Sequence, residues 1–184
     1  MNRTRNMVLA ALFTALMAAG AFIKIPVGPV PISLQTLFSM LSGIVLGPYV
    51  GALSQIIYIG LGLAGIPIFT SGGGPSYIFN PSFGFLLGFI LSAFISGKLS
   101  DKGKRNSFIK LFVVCLLSSL SVYCIGVPYM YLVLKYSMGM DITIPNAIET
   151  GCLLFIPGDT AKSLIAAVIG NKIIPLLKKV QHDN

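Results

Sequence analysis

Long runs of apolar residues constrain this chain more than any other feature of its sequence. Of its 184 residues, 55% are hydrophobic and only 10% are charged, whereas a soluble domain carries about 25% charged residues. Too few charges remain to cover a water-facing surface, so lipid must surround most of the outer face. A helix crosses a bilayer with about 20 apolar residues. The sequence therefore predicts an all-α integral membrane protein.

Prolines, glycines and polar residues divide the apolar sequence into helices. The interruptions fall at residues 24–31, 47–48, 67–81 and 98–110. We expect six transmembrane helices, forming one domain over residues 1–184, at about 7–23, 32–46, 49–66, 82–97, 111–133 and 153–174. The second and third are short for a full crossing, so a shallow hairpin is an alternative for that pair. The last helix is expected to follow a linker that contains Asp141, Pro145 and Glu149.

The distribution of basic residues predicts the orientation in the membrane. If the N-terminus is cytoplasmic, only Lys24 and Lys135 lie outside. The cytoplasmic set is then Arg3, Arg5, Lys98, Lys102, Lys104, Arg105, Lys110, Lys172, Lys178 and Lys179. Cytoplasmic segments are enriched in Lys and Arg, so both termini are expected in the cytoplasm of a multi-pass membrane protein. The same rule explains the net charge of +8, and no nucleic-acid partner is expected.

Ionisable side chains inside a membrane segment are the first candidates for function. Asp159 and Lys162 lie in the run PGDTAKS, three residues apart and therefore on one face of the last helix. One interpretation is a pair that neutralises itself and caps the helix. The other is a polar pocket open to the outside, in which Lys162 binds a carboxylate and Asp159 accepts hydrogen bonds from N–H donors.

Three further polar residues are expected on the same outer side. Gln35 begins the second helix, Asn80 precedes the fourth, and Tyr77 lies in the loop before it. Each is a weaker candidate, because a single amide in a membrane protein often bonds one helix to another. The only histidine lies in the C-terminal tail, the three cysteines fit no metal-site spacing, and no phosphate-binding loop is present. No catalytic site, metal or cofactor is therefore expected.

Ala11, Ala15 and Ala19 recur at every fourth position of the first helix. Small residues at this spacing form a shallow groove that lets another helix approach closely. The spacing alone does not identify that helix, which belongs either to this bundle or to a partner protein.

Three segments together resemble the BioY family, the biotin-binding S components of energy-coupling factor (ECF) transporters. They are Val30–Phe69, which contains PVPISLQT, Gly72–Phe89, and Phe155–Gly170, which contains the PGDxxK element. The resemblance covers about residues 7–175. One departure is Ser82-Phe83-Gly84, which is bulkier than the small-residue version typical of the family.

The resemblance implies a six-helix S component that captures biotin from outside and docks onto a transmembrane coupling subunit carrying two ATPases. Asp159, Lys162, Gln35 and Asn80 would then line the polar pocket, and the alanines of the first helix would form the docking surface. Two alternatives remain: an S component for a different vitamin, and a membrane enzyme that uses Asp159 as base and Lys162 as nucleophile.

Overall fold

A computed structural model of the protein describes residues 3–100 and 107–182, with the side chains of residues 4–100 and 107–175. The described helices are α1 (Arg3–Phe22), α2 (Gln35–Leu46), α3 (Pro48–Leu63), α4 (Phe83–Leu99), α5 (Phe108–Leu132), α6 (Ile144–Gly151) and α7 (Ile156–His182). Single turns of 3₁₀ or π geometry occupy Pro75–Phe79, Val133–Ser137 and Leu153–Phe155. Strands β1 (Lys24–Ile25) and β2 (Ile32–Ser33) form one antiparallel pair. The mostly helical architecture predicted from the sequence is confirmed.

Within the described residues, three helical stretches are long and apolar enough to cross a membrane: Thr4–Phe22, Phe108–Ser137 and Ile144–Pro175. Helices α2, α3 and α4 are equally apolar but shorter. At 1.5 Å per residue, the 12 residues of α2 extend about 18 Å. The hydrocarbon core of a bilayer is about 30 Å thick, so α2 is too short to cross it without its flanking segments.

The structure corrects two boundaries predicted from the sequence. The second helix was expected from residue 32, but Ile32 and Ser33 lie in β2, where Ile32 pairs with Ile25. Proline restricts the residue before it to extended conformations, and the proline-rich segment 26–31 returns the chain as a hairpin. The predicted linker before the last helix instead contains α6. Pro145 fits the first turn of that helix, and the Thr143 hydroxyl accepts from the Asn146 amide at 3.4 Å.

Glycines bring α2, α3 and α4 into close contact around the turn at Gly47. A Cβ on Gly43 would lie 2.1 Å from the carbonyl oxygen of Ala93 in α4, and one on Gly51 would lie 2.8 Å from the Cα of Gly43. A Cβ on Gly97 would lie 2.5 Å from the Pro48 nitrogen. These are backbone contacts that no other residue type permits. We call this part of the bundle the Gly47 end.

Aromatic residues fill the opposite end of the bundle. There Gly84 and Gly126 let α4 and α5 approach, because a Cβ on either would touch the ring or Cβ of an aromatic residue on the other helix. Phe85 stacks on Phe155, and Phe69 contacts both Tyr58 and Tyr77. The β1–β2 hairpin and the loop 64–82 cover this end. We call it the cavity end, because it surrounds the cavity described next.

Candidate functional site

The first turn of α7 carries a buried ion pair. Pro157 and Asp159 both suit a helix N-terminus, where a missing N–H is tolerated and a negative charge is favoured. Asp159 and Lys162 are only 3% and 6% exposed, and the Lys162 Nζ donates to Asp159 Oδ1 at 2.5 Å. Because burial of a single charge is strongly unfavourable, each residue makes the burial of the other possible.

Two further groups complete this pair. The Lys162 Nζ also donates to the carbonyl oxygen of Ser33 at 2.8 Å, which ties α7 to β2. The hydroxyl of Tyr123, in α5, donates to Asp159 Oδ2. Both carboxylate oxygens of Asp159 therefore have a donor within the protein, and the pair connects α5, α7 and the hairpin.

A small cavity lies beside this pair. Asp159 and Tyr123 form part of its wall, and Gln35 with several hydroxyl groups forms another part. Its lining residues are Val30, Pro31, Ser33, Gln35, Thr36, Thr70, Ser82, Phe85, Leu86, Phe89, Val122, Tyr123, Phe155 and Asp159. An apolar cavity with a few convergent polar groups is the usual form of a small-molecule site.

Gln35 lines the cavity, and both the oxygen and the nitrogen of its side-chain amide form hydrogen bonds within the protein. Its Oε1 accepts from the Ser33 hydroxyl at 3.0 Å, and its Nε2 donates to the Tyr58 hydroxyl at 2.9 Å. Tyr58 in turn donates to the carbonyl of Ile68 at 2.8 Å. The chain Ser33–Gln35–Tyr58–Ile68 thus anchors the loop 64–82 to the start of α2.

Tyr77 is buried behind the cavity and does not line it. Its hydroxyl bonds to the Thr70 hydroxyl at 2.9 Å, and Thr70 is the residue that faces the cavity. Lys24, which lies in β1 of the hairpin, donates to the Thr70 carbonyl. Thr70 therefore joins the hairpin to the loop 64–82.

Asn80 is half-buried and lines a neighbouring groove. Its Oδ1 accepts from the Ser82 amide at 2.9 Å, which organises the turn into α4. That groove lies between the hairpin, the end of α5 and α6, and includes Asp141 and Asn146. Of the predicted residues, Asp159 and Gln35 line the cavity. Lys162 bonds to Asp159 without lining the cavity, Tyr77 lies behind it, and Asn80 lines the neighbouring groove.

The alanines at every fourth position of α1 lie on the surface. Ala11, Ala15 and Ala19 are all exposed, as are Met7 and Leu12 on the same side of the helix. Packing within this bundle, one of the two interpretations of their spacing, is therefore excluded for this face.

Sequence reasoning missed Tyr123, Ser33 and Thr70. Tyr123 lies in α5 shortly after three serines, and it is a weak signal because tyrosine is common in membrane helices. Ser33 lies within PVPISLQT, but it bonds to Lys162 through its backbone carbonyl, and the identity of a side chain does not predict such a bond. Among the residues that the structure describes, no group of His, Cys, Asp and Glu is placed to hold a metal ion.

Comparison with known proteins gives concordant matches over nearly the whole chain. The sequence model described as the BioY family matches residues 1–179. A probable biotin transporter BioY of Lysinibacillus sphaericus is 34% identical over 178 residues, which are 97% of this chain and 91% of that protein. The biotin transporter BioY of Thermotoga maritima is 36% identical over 180 residues, covering 97% of this chain and 99% of that protein.

Two solved structures share the fold. The S-component for biotin from an ECF-type ABC transporter superposes with a TM-score of 0.80 at 28% identity, covering 94% of each chain. FolT bound with folic acid superposes with a TM-score of 0.61 at 20% identity, covering 89% of this chain and 92% of that one. The second match shows a common fold only.

Proposed function

The chain belongs to the BioY family, and from this we propose that it is the biotin-binding S component of an ATP-driven ECF-type importer. The observation that carries the proposal is the buried Asp159–Lys162 pair, of which Asp159 lines a cavity that also has apolar walls. In lipid, a buried ion pair is retained mainly where it serves binding or transport.

Biotin matches the chemistry of this cavity. Its bicycle and alkyl chain suit the walls formed by Phe85, Leu86 and Phe89. A ureido N–H can donate to a carboxylate lone pair of Asp159. Lys162 has three N–H donors and directs two of them to Asp159 and Ser33, which leaves one for the carboxylate of biotin.

We also assign supporting roles to the three weaker candidates. Gln35, which lines the cavity, would contact biotin directly. Tyr77 would act through Thr70, to which it is bonded. Asn80 uses its Oδ1 in the turn before α4 and has its Nδ2 available as a donor, so a rotation of its side chain or of the adjoining loop would bring it to the ligand.

We infer six membrane crossings, made by α1 to α5 and α7, with both termini in the cytoplasm. The α2–α3 turn at Gly47 packs on Gly97 near the end of α4. The Gly47 end therefore carries Lys98, whereas Lys24 and Lys135 lie at the cavity end. This arrangement supports a cytoplasmic Gly47 end by the positive-inside rule. The cavity would then open to the outside of a bacterial cell membrane.

We propose that the exposed alanine face of α1 docks onto the coupling subunit of the importer, which carries two ATPases. Ala11, Ala15 and Ala19 form a flat strip on a helix that faces outward. In lipid, close packing against small residues is a main source of helix association. The whole chain, 1–184, would act as a single capture domain, and the partner would supply the energy of ATP.

The two alternative functions have less support. A different vitamin is suggested only by the fold shared with FolT, which at 20% identity concerns the fold alone. The relatives that the chain matches are described as transporters rather than enzymes. We therefore propose that Asp159 and Lys162 bind a ligand and do not catalyse a reaction.

Ligand identification tests the proposed function. The protein is purified in detergent from cells grown with biotin, and its bound small molecules are identified by mass spectrometry. Binding of radiolabelled biotin to the ligand-free protein is then competed with biotin, folate, riboflavin and thiamine. We expect biotin in the purified protein and competition by biotin alone. Stronger competition by another vitamin would assign a different substrate.

A further inference from the structure

Tyr123 separates two spaces in the molecule. On one side it lines the cavity, together with Asp159. On the other side the same two residues form the inner end of an apolar groove between α5 and the start of α7. That groove is lined by Val113, Leu116, Leu117, Ser119, Leu120, Cys152, Ile156 and Thr160. Leu117 and Leu120 are about half exposed, so under the proposed topology the groove faces lipid.

The hydroxyl of Tyr123 and the ammonium of Lys162 hold different oxygens of the same carboxylate. Tyr123 donates to Asp159 Oδ2, and Lys162 donates to Asp159 Oδ1. All three side chains are buried. Tyr123 comes from α5, whereas the other two residues belong to α7, so the carboxylate is held from two helices.

This arrangement fixes the plane of a group that otherwise rotates easily. The terminal torsion of an aspartate side chain is broad, without sharply defined rotamers. With a single donor, the carboxylate could turn toward Lys162 and away from the cavity. With donors on both oxygens its orientation is set, and each oxygen keeps a lone pair for a ligand.

We propose that Tyr123 is a positioning residue for ligand recognition: it aims the Asp159 carboxylate at an N–H donor in the cavity, and its ring keeps the cavity apart from the lipid-facing groove. The proposal rests on the function proposed above, since it takes the N–H donor to be the ureido group of biotin. Tyr123 acts through Asp159 and needs no contact of its own with the ligand.

The substitution Tyr123→Phe tests this role, because it keeps the ring as a wall and removes only the hydroxyl. We expect biotin to bind roughly tenfold more weakly, as for the loss of one hydrogen bond to a charged group. Thermal stability in detergent should stay near that of the parent. The matched control is Tyr129→Phe on the same helix, which loses a hydrogen bond to the Ile78 carbonyl but does not touch Asp159. It should bind biotin within about twofold of the parent.

A double-mutant cycle distinguishes positioning from a purely structural role. If Tyr123 acts through Asp159, the hydroxyl has no side-chain acceptor to position in Asp159→Ala, and adding Tyr123→Phe should change affinity by less than about twofold. A structural hydroxyl would instead give additive effects in the double variant. Additivity, or biotin binding by Tyr123→Phe as tight as the parent's, would overturn the assignment of Tyr123. Failure of the parent protein to bind biotin would overturn the proposed function itself.

Discussion

The two ends of the bundle use similar polar residues for opposite purposes. At the Gly47 end and through the middle of the bundle, a set that we call the serine seam is completely buried: Thr14, Ser39, Ser42, Ser54, Gln55 and Ser96. At the cavity end, Ser33, Gln35, Thr36, Thr70 and Ser82 surround an open space. The residue types are nearly the same, so the difference lies in what surrounds them.

Three hydroxyls of the serine seam, those of Thr14, Ser39 and Ser96, donate to backbone carbonyls of neighbouring helices. The Thr14 hydroxyl donates to the Ser54 carbonyl at 2.9 Å, linking α1 to α3. The Ser39 hydroxyl donates to the Phe89 carbonyl at 2.9 Å, linking α2 to α4. Because glycines let these backbones approach closely, hydroxyls reach carbonyls directly and no room remains for a ligand.

At the cavity end the spacing is set by aromatic rings and loops instead. Phe85 and Phe89 line the cavity, and the groups around it bond mostly to each other along its wall. Asp159 keeps lone pairs that point to no protein donor. In this chain, glycines bring backbones into contact at the Gly47 end, while aromatic rings line the cavity at the other end.

The largest expected effect comes from a substitution that prevents the close approach of α2 and α4 at the Gly47 end. Gly43→Ala places a Cβ 2.1 Å from the Ala93 carbonyl oxygen, and a backbone atom cannot yield as a flexible side chain would. We expect a loss of about 3 kcal/mol in stability, with little folded protein recovered. Thermal unfolding in detergent, followed by size-exclusion chromatography, measures it.

Gly60→Ala is the matched control, because Gly60 lies in α3 and its Cβ would meet no atom within 4 Å. Alanine there should leave stability unchanged or raise it by about 0.5–1 kcal/mol. Equal stability of the two variants would contradict the close packing assigned to the Gly47 end.

The second effect sharpens the comparison at the cavity end. Lys162→Met removes a charge-assisted hydrogen bond worth about 1.5–3 kcal/mol, so biotin should bind roughly tenfold to a hundredfold more weakly. It also leaves Asp159 unpaired, which lowers stability by about 3–5 kcal/mol. Lys162→Met/Asp159→Asn should recover the stability without recovering the affinity.

Two controls identify the partner of Lys162. Lys135→Met changes an exposed lysine that bonds to the Tyr131 hydroxyl at 2.8 Å and should leave binding unchanged. Biotin methyl ester lacks the carboxylate, so its affinity should fall less in Lys162→Met than the affinity of biotin does. If the Lys162→Met protein binds biotin as tightly as the parent, Lys162 is not the carboxylate partner.

The third effect concerns the outer face of α1, which belongs to neither end. Ala15→Trp adds bulk to an exposed position and should hold a partner helix away, since lipid provides no hydrophobic drive to replace lost packing. Co-purification with the coupling subunit and ATP-driven uptake should both fall by roughly tenfold or more. Biotin binding by the isolated chain should stay near normal.

Leu164→Trp is the control for Ala15→Trp, because Leu164 is also exposed but lies on α7. It should preserve both the complex and uptake. Loss of biotin binding in Ala15→Trp while the complex stays intact would refute the docking role of this face.

The smallest expected effect distinguishes a hydroxyl of the serine seam from a hydroxyl of a residue that lines the cavity. Ser39→Ala removes one bond between α2 and α4, and such bonds contribute on average about 0.6 kcal/mol in membrane proteins. We expect a small drop in melting temperature and unchanged biotin binding. Ser82→Ala, at the cavity, should show the reverse pattern. The same response from both variants would mean that the two regions do not differ in the way described.

Much of the architecture could be predicted from the sequence, because it depends on local patterns. The apolar runs gave helices close to their observed positions, and the spacing of Asp159 and Lys162 placed both on one face of a helix. The predicted start of the second helix and the predicted linker before the last helix were wrong for a local reason. Proline-rich and mixed polar segments contain weak signals for more than one kind of secondary structure. Ile32 and Ser33 extend the apolar run of α2, yet their pairing with Ile25 and Lys24 makes them a strand.

The sequence by itself determined which residues share a helix face: the ion pair on α7 and the alanines on α1. Only the tertiary structure decided which residues from different elements meet. Tyr123 and Asp159 are 36 residues apart, and Ser33 and Lys162 are 129 apart. Of the other two residues expected at the site, Tyr77 lies behind the cavity and Asn80 lines the neighbouring groove. Helical periodicity fixes contacts within a turn or two, whereas contacts between helices depend on how glycines and rings set the spacing of the whole bundle.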